Sequence, residues 1–373
     1  QRGRIFAGKV VFMKICVLGT RGFPLIQGGV EKHCESLYTE FPAEYRFVIF
    51  RRKPYVRVTP SYPNITFIDL PSTKIKGFEA VYHSFLSTCR AVLSRPDIVH
   101  IHNIGPALFS PLLKLCGIKV VLTYHSPNYE HKKWGWGVRT LLKWSEKIAL
   151  RMSDAVIFVN KFQLEKYDER TRSKSYYIPN GIPRITPATQ QNYIRELGLT
   201  PGKYVLGVGR ITPEKGFDCL EKAFAGVDTD YKLVIAGGVE TESAYLDELK
   251  SILPPEKIVF TGYVYGEKLN QLYTHAGLYV LSSYNEGFPL VLLEAMSYGL
   301  DVLVSDIPAS HLVDLPADDY FSKGDYEELA RKIERKLKYP RQQKYELEAY
   351  DWTAIVKRLA AVYDKLNGRK QVP

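Results

Sequence analysis

Five short apolar runs punctuate the second half of the chain: Tyr204–Val208, Lys232–Ala236, Ile258–Thr261, Leu278–Leu281 and Val302–Ser305. Stretches with helical spacing separate them, and strands that alternate with helices argue a parallel sheet. The first half repeats the pattern at Lys14–Leu18, Phe47–Phe50, Thr66–Asp69, Asp97–His102, Lys119–Tyr124 and Ala155–Val159, the last strand expected there. Phe78, Val81, Phe85, Leu86 and Val92 give helical spacing across residues 76–94. A turn signal, Tyr177-Ile-Pro-Asn-Gly181, falls between the two series and marks the crossover. At 373 residues the chain is long enough for two domains, each with its own core. The expected organisation is α/β, with a first domain over 13–178 and a second over 179–349. Amphipathic helices are expected at 324–338 and 352–366.

The densest chemistry lies in EGFPLVLLEAMSYG, residues 286–299, directly after one of these strands. Pro289 suits a first helical position, where its missing N–H has no partner to lose, and Gly299 suits the C-terminal cap. A strand, a loop and a helix start point backbone N–H groups and a positive dipole end at an anion. Glu286 on the loop and Glu294 in the helix flank that point. A carboxylate accepts two hydrogen bonds at once, which suits neighbouring hydroxyls of a sugar or a ribose. Phosphate on the N–H groups and polyols on the glutamates describe a nucleotide sugar. The same residues also fit an ordinary helix whose glutamates face water.

GTRGFPLIQGGVEKH (19–33) joins the first strand to a helical pattern running to about Phe41. Strand, glycine-rich loop and helix follow the logic of a phosphate cradle, although a plain turn has the same form. The loop is neither G-x-G-x-x-G nor a Walker A motif. His100 and His102 share one face of a strand that ends where ligands of parallel sheets collect. A metal pair there lacks an evident third ligand, and packing explains both residues. His125, just past the next strand, can donate a hydrogen bond to a sugar hydroxyl or a phosphate. Gly209-Arg210-Ile-Thr-Pro-Glu-Lys215-Gly216 places a forked guanidinium and a compact ammonium where a diphosphate could be neutralised. Asp228-Thr-Asp230 has the D-x-D spacing of metal-dependent sugar transferases, but sits in a polar connection away from a carboxyl strand end.

Composition narrows the partners. Hydrophobic content of 45% and charged content of 24% are those of a soluble globular protein. No apolar run approaches the roughly 20 residues that span a bilayer. Five scattered cysteines without a C-x-x-C pair argue for a reducing cytosol, and against a disulfide framework or a zinc site. Residues 1–12 precede Met13-Lys14-Ile15, a plausible natural start, and read as an artificial leader rather than a signal peptide. The net charge of +11 divides into +15 over residues 1–178 and −4 over the remainder. Such a basic half fits anionic lipid headgroups, a lipid-diphosphate acceptor or a solvated face; nothing resembles a nucleic-acid-binding motif. HKKWGWGVRTLLKW (131–144) mixes lysine with tryptophan ahead of an amphipathic helix. That segment can rest at a membrane interface or pack its tryptophans into the core. The expected location is cytoplasmic, peripheral on the inner face of the cytoplasmic membrane.

Together the motifs resemble the family 4 glycosyltransferases, retaining enzymes of GT-B fold with two facing Rossmann-like domains and an interdomain cleft. The resemblance rests on Glu286-x7-Glu294 within EGFxxxxLEAMxxG, and on G-R-x-x-x-x-K-G at 209–216. Gly-Thr-Arg-Gly followed by Gly28-Gly29-x-Glu is similar to a subgroup of bacterial polysaccharide glycosyltransferases. His125 followed by Lys133-Trp134-Gly135 continues that pattern. Asn128 stands where the subgroup usually has glutamate, and Asp301 where the family has proline. The resemblance spans Met13 to about Asp364 and returns 350–373 to the first domain.

It implies transfer of a sugar from a nucleotide donor, UDP favoured, to a saccharide or lipid-linked saccharide in cell-surface polysaccharide synthesis, with no metal or other cofactor. Arg210 and Lys215 would hold the diphosphate, Glu286 the sugar hydroxyls and Glu294 the ribose. Gly28 and Gly29 would lie against the phosphates, and His125 against sugar and β-phosphate. Phe288 and Leu290 would add donor contacts, and the Gly262–Val264 loop would receive the base through its backbone. A nucleotide-sugar epimerase or a bilobed saccharide-binding protein could share the architecture. A dehydrogenase would need a dinucleotide fingerprint that is missing.

Overall fold

The computed structural model describes residues 5–6, 9–10, 12–26, 28–73, 75, 78–127, 129, 135–182, 185–239 and 244–368. Asn128, Lys133 and Trp134 lie outside them. The chain divides into two compact units, residues 1–183 with 348–373 and residues 184–347.

The first unit carries strands β1 (Met13–Leu18), β2 (Tyr45–Arg52), β3 (Ile65–Leu70), β4 (Ile98–His102), β5 (Lys119–Tyr124), β6 (Ala155–Phe158) and β7 (Ser175–Tyr177). All pair in parallel, in the order β3-β2-β1-β4-β5-β6-β7. The edge strand β7 lies beyond Ala155–Val159; its three half-buried residues lack the apolar run that reveals a central strand. Parallel neighbours need crossovers, which helices α1 (Gly29–Thr39), α2 (Phe78–Ser94), α3 (Ser110–Leu115) and α4 (Trp136–Met152) help to supply. Alternation along β1 sends Met13, Ile15 and Val17 to one face, and Cys16 and Leu18 to the other. Leu37 and Tyr38 of α1 cover the first face, together with Trp352, Ile355, Leu359 and Tyr363 of the C-terminal helix (Trp352–Leu366). Ala91, Leu113 and Ala149, from α2, α3 and α4, cover the second. Burying Ile355, Val356, Leu359 and Val362 contributes on the order of 6–12 kcal/mol, at about 1.5–3 kcal/mol per side chain. The first core therefore depends on the returning segment.

The second unit carries β8 (Tyr204–Val208), β9 (Lys232–Ala236), β10 (Ile258–Gly262), β11 (Leu278–Leu281), β12 (Val302–Ser305) and β13 (Tyr320–Phe321). These too are all parallel, in the order β10-β9-β8-β11-β12-β13. Each sheet thus turns back on itself between its first and fourth strands, the Rossmann order. Helices α5 (Phe217–Ala225), α6 (Glu267–Thr274), α7 (Leu290–Ser297) and α8 (Tyr326–Lys338) flank the sheet. Helix α8 starts at Tyr326 rather than 324, because the Asp325 carboxylate accepts the Glu328 N–H at 2.8 Å and so acts as the cap.

Pro289 is the N-cap of α7, with φ −81° and ψ 81°, and not its first helical residue. Gly299 ends the helix with φ +71°. Its N–H donates to Met296 O at 2.9 Å and that of Leu300 to Ala295 O at 3.2 Å, a Schellman closure. Asp301 is buried ahead of β12, where Lys336 of α8 reaches its Oδ1 at 2.5 Å and Asp319 Oδ1 at 2.6 Å. A charge taken out of water needs such a partner, so Lys336 explains how aspartate is tolerated there. No helix among the described residues is long and apolar enough to cross a membrane.

Candidate active site

In sheets of this order, ligands gather beyond the carboxyl ends of the strands where the order reverses. In the second unit that point lies between β8 and β11. The loop after β8 holds Arg210 and Lys215, and the loop after β11 holds Ser282 to Glu286. Backbone contacts fix one loop on the other. Tyr284 N–H donates to Glu214 O at 2.9 Å, and the Ser282 hydroxyl donates to Lys215 O at 3.0 Å. Gly216 has φ +63°, and a Cβ on it would stand 2.1 Å from Ser282 O, so no side chain fits.

Across this junction Lys215 Nζ lies 2.5 Å from Glu286 Oε1, which also accepts the Ser283 hydroxyl at 2.7 Å. The two charged side chains are only 17% and 11% exposed. With water largely excluded, such a pair holds its ammonium more firmly than a surface ion pair would. The loop backbone on either side of Arg210 is pinned as well: Gly209 N–H donates to Ala236 O and Ile211 N–H to Gly238 O, each at 3.0 Å.

Glu294 faces the same region from α7. It is buried, and its Oε2 accepts the Tyr273 hydroxyl at 3.1 Å. Burial, and then the Glu294 charge, keeps that phenol well above its ordinary pKa. Burial, and then the charges of Glu286 and Glu294, raise the pKa of the Tyr279 phenol on β11 well above its ordinary value. The first turn of α7 offers fewer open donors than the sequence suggests. Leu290 N–H donates to Phe288 O and Leu292 N–H to Pro289 O, both at 3.0 Å. Phe288 is buried and Leu290 half-buried. Gly262 closes β10 with φ +65°, a Cβ there would meet nothing within 4 Å, and half-buried Val264 follows. Asp230 instead pairs with Lys203 at 3.0 Å on the surface.

In the first unit the glycine-rich loop is folded by a carboxylate. Glu31, in the first turn of α1, accepts Arg21 N–H at 3.1 Å and the Thr20 hydroxyl at 3.3 Å. A Cβ on Gly28 would stand 1.9 Å from Glu31 Oε2, so this glycine is explained by the loop's own packing. At Gly29 a Cβ would meet nothing within 4 Å. Four histidines crowd together, His100 and His102 on β4, His125 just after β5 and His33 on α1. His102 Nδ1 lies 3.0 Å from His125 Nε2, and the His33 ring is 5.0 Å from His125 and 5.7 Å from His102. His100 stacks on His102 at 4.5 Å. Burial lowers all four pKa values. His33 falls to about 4 despite Asn180, His100 falls to about 3 with His33 adding to the effect, and His102 and His125 lie well below the usual range. Near neutral pH these imidazoles are uncharged.

The sequence offered His100 and His102 as a metal pair without a third ligand. The structure instead groups His33, His102 and His125, with ligand nitrogens within 4.8 Å of one another. His100 is occupied by hydroxyls: Thr123 Oγ1 at 2.7 Å, Tyr363 Oη at 2.5 Å and Tyr38 Oη at 3.0 Å. Sequence reasoning missed Glu31, His33 and Ser283 as participants, along with the tyrosines 38, 273 and 363. Glu31 and His33 had a usable signal, since the first turns of a helix after a glycine-rich loop border the carboxyl ends of the strands. The tyrosines had none.

Comparison with known proteins matches residues 189–352 to "Glycosyl transferases group 1" and residues 27–184 to "Glycosyltransferase Family 4". The chain belongs to glycosyltransferase family 4. This family 4 chain is 27% identical over 301 residues to sulfoquinovosyl transferase SQD2 of Arabidopsis thaliana, covering 71% of its own length and 56% of the relative's. Matches to the first curated relatives span 30% to 56% of their lengths. Sucrose-phosphate synthase of Thermosynechococcus elongatus superposes with a TM-score of 0.78 at 21% identity, over 95% of this chain and 99% of that one. Anabaena Alr3699/HepE, in complex with UDP and glucose, superposes with a TM-score of 0.74 at 18% identity, over 95% and 100%. The family 4 chain thus shares their GT-B fold of two Rossmann-like domains.

Proposed function

We propose that the chain is a retaining glycosyltransferase that moves a sugar from a UDP-sugar to a hydroxyl of a saccharide or lipid-linked saccharide, in cell-surface polysaccharide synthesis. The observation that carries this reading is the Lys215–Glu286 pair at the switch point of the second sheet. Lys215 and Arg210 neutralise the diphosphate as it leaves, the work that elsewhere falls to a divalent cation, so no metal is required. Glu286 takes sugar hydroxyls and Glu294 the ribose, while Phe288, Leu290, Gly262 and Val264 line the nucleotide. Gly28, Gly29 and His125 contribute phosphate and sugar contacts. The departing phosphate draws the proton from the acceptor hydroxyl on the face it vacates, so the protein's task is positioning and charge stabilisation. A neighbour of the same fold that holds UDP and glucose supports the uridine donor.

Helix α4 supports a place at the cytoplasmic face of a membrane. Trp136 and Trp144 are 84% and 63% exposed, beside exposed Leu141, Lys143 and Lys147. Tryptophan at headgroup level with lysine near anionic lipid is the composition of an interfacial helix.

A thermal-shift panel of UDP-, GDP-, TDP- and ADP-sugars tests the donor. A ligand at 100 times its Kd stabilises by about 2.7 kcal/mol, and UDP-sugars are expected to give the largest shift. No shift with any nucleotide sugar would overturn the reading. Turnover is expected to survive a chelator; loss that added metal restores would overturn the metal-free mechanism.

A further inference from the structure

Three of the four clustered histidines bring their nitrogens together from separate elements: His33 on α1, His102 at the end of β4 and His125 just after β5. Each offers one ring nitrogen, and the three nitrogens lie within 4.8 Å of one another. His102 Nδ1 and His125 Nε2 are already 3.0 Å apart. The three ring centroids stand 5.0, 5.3 and 5.7 Å from each other. A tetrahedral zinc ion, with Zn–N bonds of about 2.0–2.1 Å, sets its ligand nitrogens about 3.3 Å apart and its imidazole centroids about 5 Å apart. The triangle of rings is close to the size such an ion needs.

A second observation comes from His33 itself. It is 5% exposed, yet neither ring nitrogen makes a hydrogen bond of normal geometry among the described residues. The Oδ1 of Asn180, its polar neighbour, is likewise buried and unbonded. Buried polar atoms left in this way are costly, and an ion is one of the things that satisfies them. Trp352 closes one side of the His33 ring, 5.5 Å between centroids, while half-buried His125 leaves a way in from solvent. His100 stays out of the group because both its nitrogens are engaged, Nε2 by Thr123 and Nδ1 by Tyr38 and Tyr363. His102 spends only Nε2, against Tyr38 Oη at 2.6 Å, and an outer partner of that kind orients a ligating imidazole.

We propose that His33, His102 and His125 form a three-nitrogen site for a borderline-soft transition-metal ion, zinc foremost, with the fourth position taken by water or Asn180 Oδ1. Imidazole suits zinc, copper and nickel, whereas magnesium and calcium prefer oxygen. The ion replaces the hydrogen bond between His102 and His125, and the proton it displaces moves to the far nitrogen of its ring. All of these residues belong to the first unit. The effect on sugar transfer rests on the reading of His125 as a contact for the nucleotide sugar. An ion that holds His125 withdraws it, so zinc opposes UDP-sugar binding.

The test uses the full chain, stripped with a chelator and titrated with Zn²⁺ alone, or with Co²⁺ as a visible probe. One Zn²⁺ per chain is expected, with the intense visible bands of four-coordinate Co²⁺ that excess Mg²⁺ does not displace. His33→Gln should weaken zinc at least about tenfold, since even an outer-shell loss costs a metal site that much. No zinc uptake by the wild type, or the same uptake by His33→Gln, would overturn the proposal. X-ray absorption on the zinc-loaded wild type needs no variant. Three imidazole nitrogens at about 2.0–2.1 Å are expected, and thiolate or carboxylate ligands in their place would overturn it. Calorimetry with UDP-glucose then tests the consequence. Zinc should lower its affinity roughly 5- to 10-fold, the scale of one hydrogen bond, and a chelator should restore it. Histidine-bound zinc with unchanged UDP-glucose affinity would keep the metal site and remove His125 from the substrate contacts.

Discussion

Lys215→Ala separates the two tasks that the structure gives this lysine. The loop around it is held by backbone groups, Ser282 to Lys215 O and Tyr284 to Glu214 O, so alanine preserves its path. What disappears is the ammonium 2.5 Å from Glu286 Oε1, while that carboxylate keeps the bond from the Ser283 hydroxyl. Breaking a fully buried pair costs about 3–5 kcal/mol and a surface pair about 0–1 kcal/mol. With side chains 17% and 11% exposed, a loss of about 2 kcal/mol is expected in urea denaturation. Turnover should fall at least about 100-fold, the scale of one lost charge-stabilising donor. Adding Glu286→Gln removes the orphaned charge. Stability in the double variant should therefore recover by about 1–2 kcal/mol, a coupling of the size expected for residues in contact. Turnover, followed by UDP release, should not recover with it. Near-normal turnover in Lys215→Ala, or turnover that returns together with stability, would mean that the lysine serves only as a counter-ion to Glu286.

Arg210→Ala should lower turnover at least roughly 100-fold, followed by UDP release. Gly216→Ala forces a Cβ to 2.1 Å from Ser282 O at φ +63°, so a loss of about 2 kcal/mol or more is expected. Gly29→Ala meets nothing within 4 Å and should fold normally, so any fall in UDP-sugar affinity there reports the ligand itself. Glu221, fully buried in α5 with neither oxygen bonded among the described residues, has its pKa raised to about 8 by burial and then by Asp218. The folded state thus keeps a proton that the unfolded state loses above about pH 4.5, and stability drains away as pH rises toward 8. Glu221→Gln should raise stability at pH 8 by up to about 4–5 kcal/mol, at roughly 1.4 kcal/mol per pH unit, read as a higher melting temperature, and change little at pH 5. Trp136→Ala with Trp144→Ala should reduce co-sedimentation with anionic liposomes at least about tenfold; unchanged binding would remove α4 from the membrane.

Central strands were legible because burial on both faces writes an uninterrupted apolar run. Tyr204–Val208, Lys232–Ala236, Lys119–Tyr124 and Val302–Ser305 appear with the bounds read from the sequence. The shortest edge strands were not: Ser175–Tyr177 and Tyr320–Phe321 are too short to carry a pattern, whereas the opposite edges, β3 and β10, were read as Thr66–Asp69 and Ile258–Thr261. Caps were readable in kind and off by a residue in place, since Pro289 fits equally at an N-cap and at a first helical position. The individual charged residues stood out, yet their partnership did not. Lys215 and Glu286 are 71 residues apart, and only the order of the strands sets β8 beside β11. The histidine cluster was less accessible still, because His100 meets Tyr363 across 263 residues.

That long return has a bearing on synthesis. Residues 184–347 form an unbroken stretch and can close their own sheet as soon as they leave the ribosome. Residues 13–182 emerge earlier but lack Trp352, Ile355, Leu359 and Tyr363 until the helix Trp352–Leu366 is out. Domains ordinarily mature from the N-terminal end. Here the later-made half can settle first, while the earlier-made half waits with one face of its sheet covered only in part, by α1.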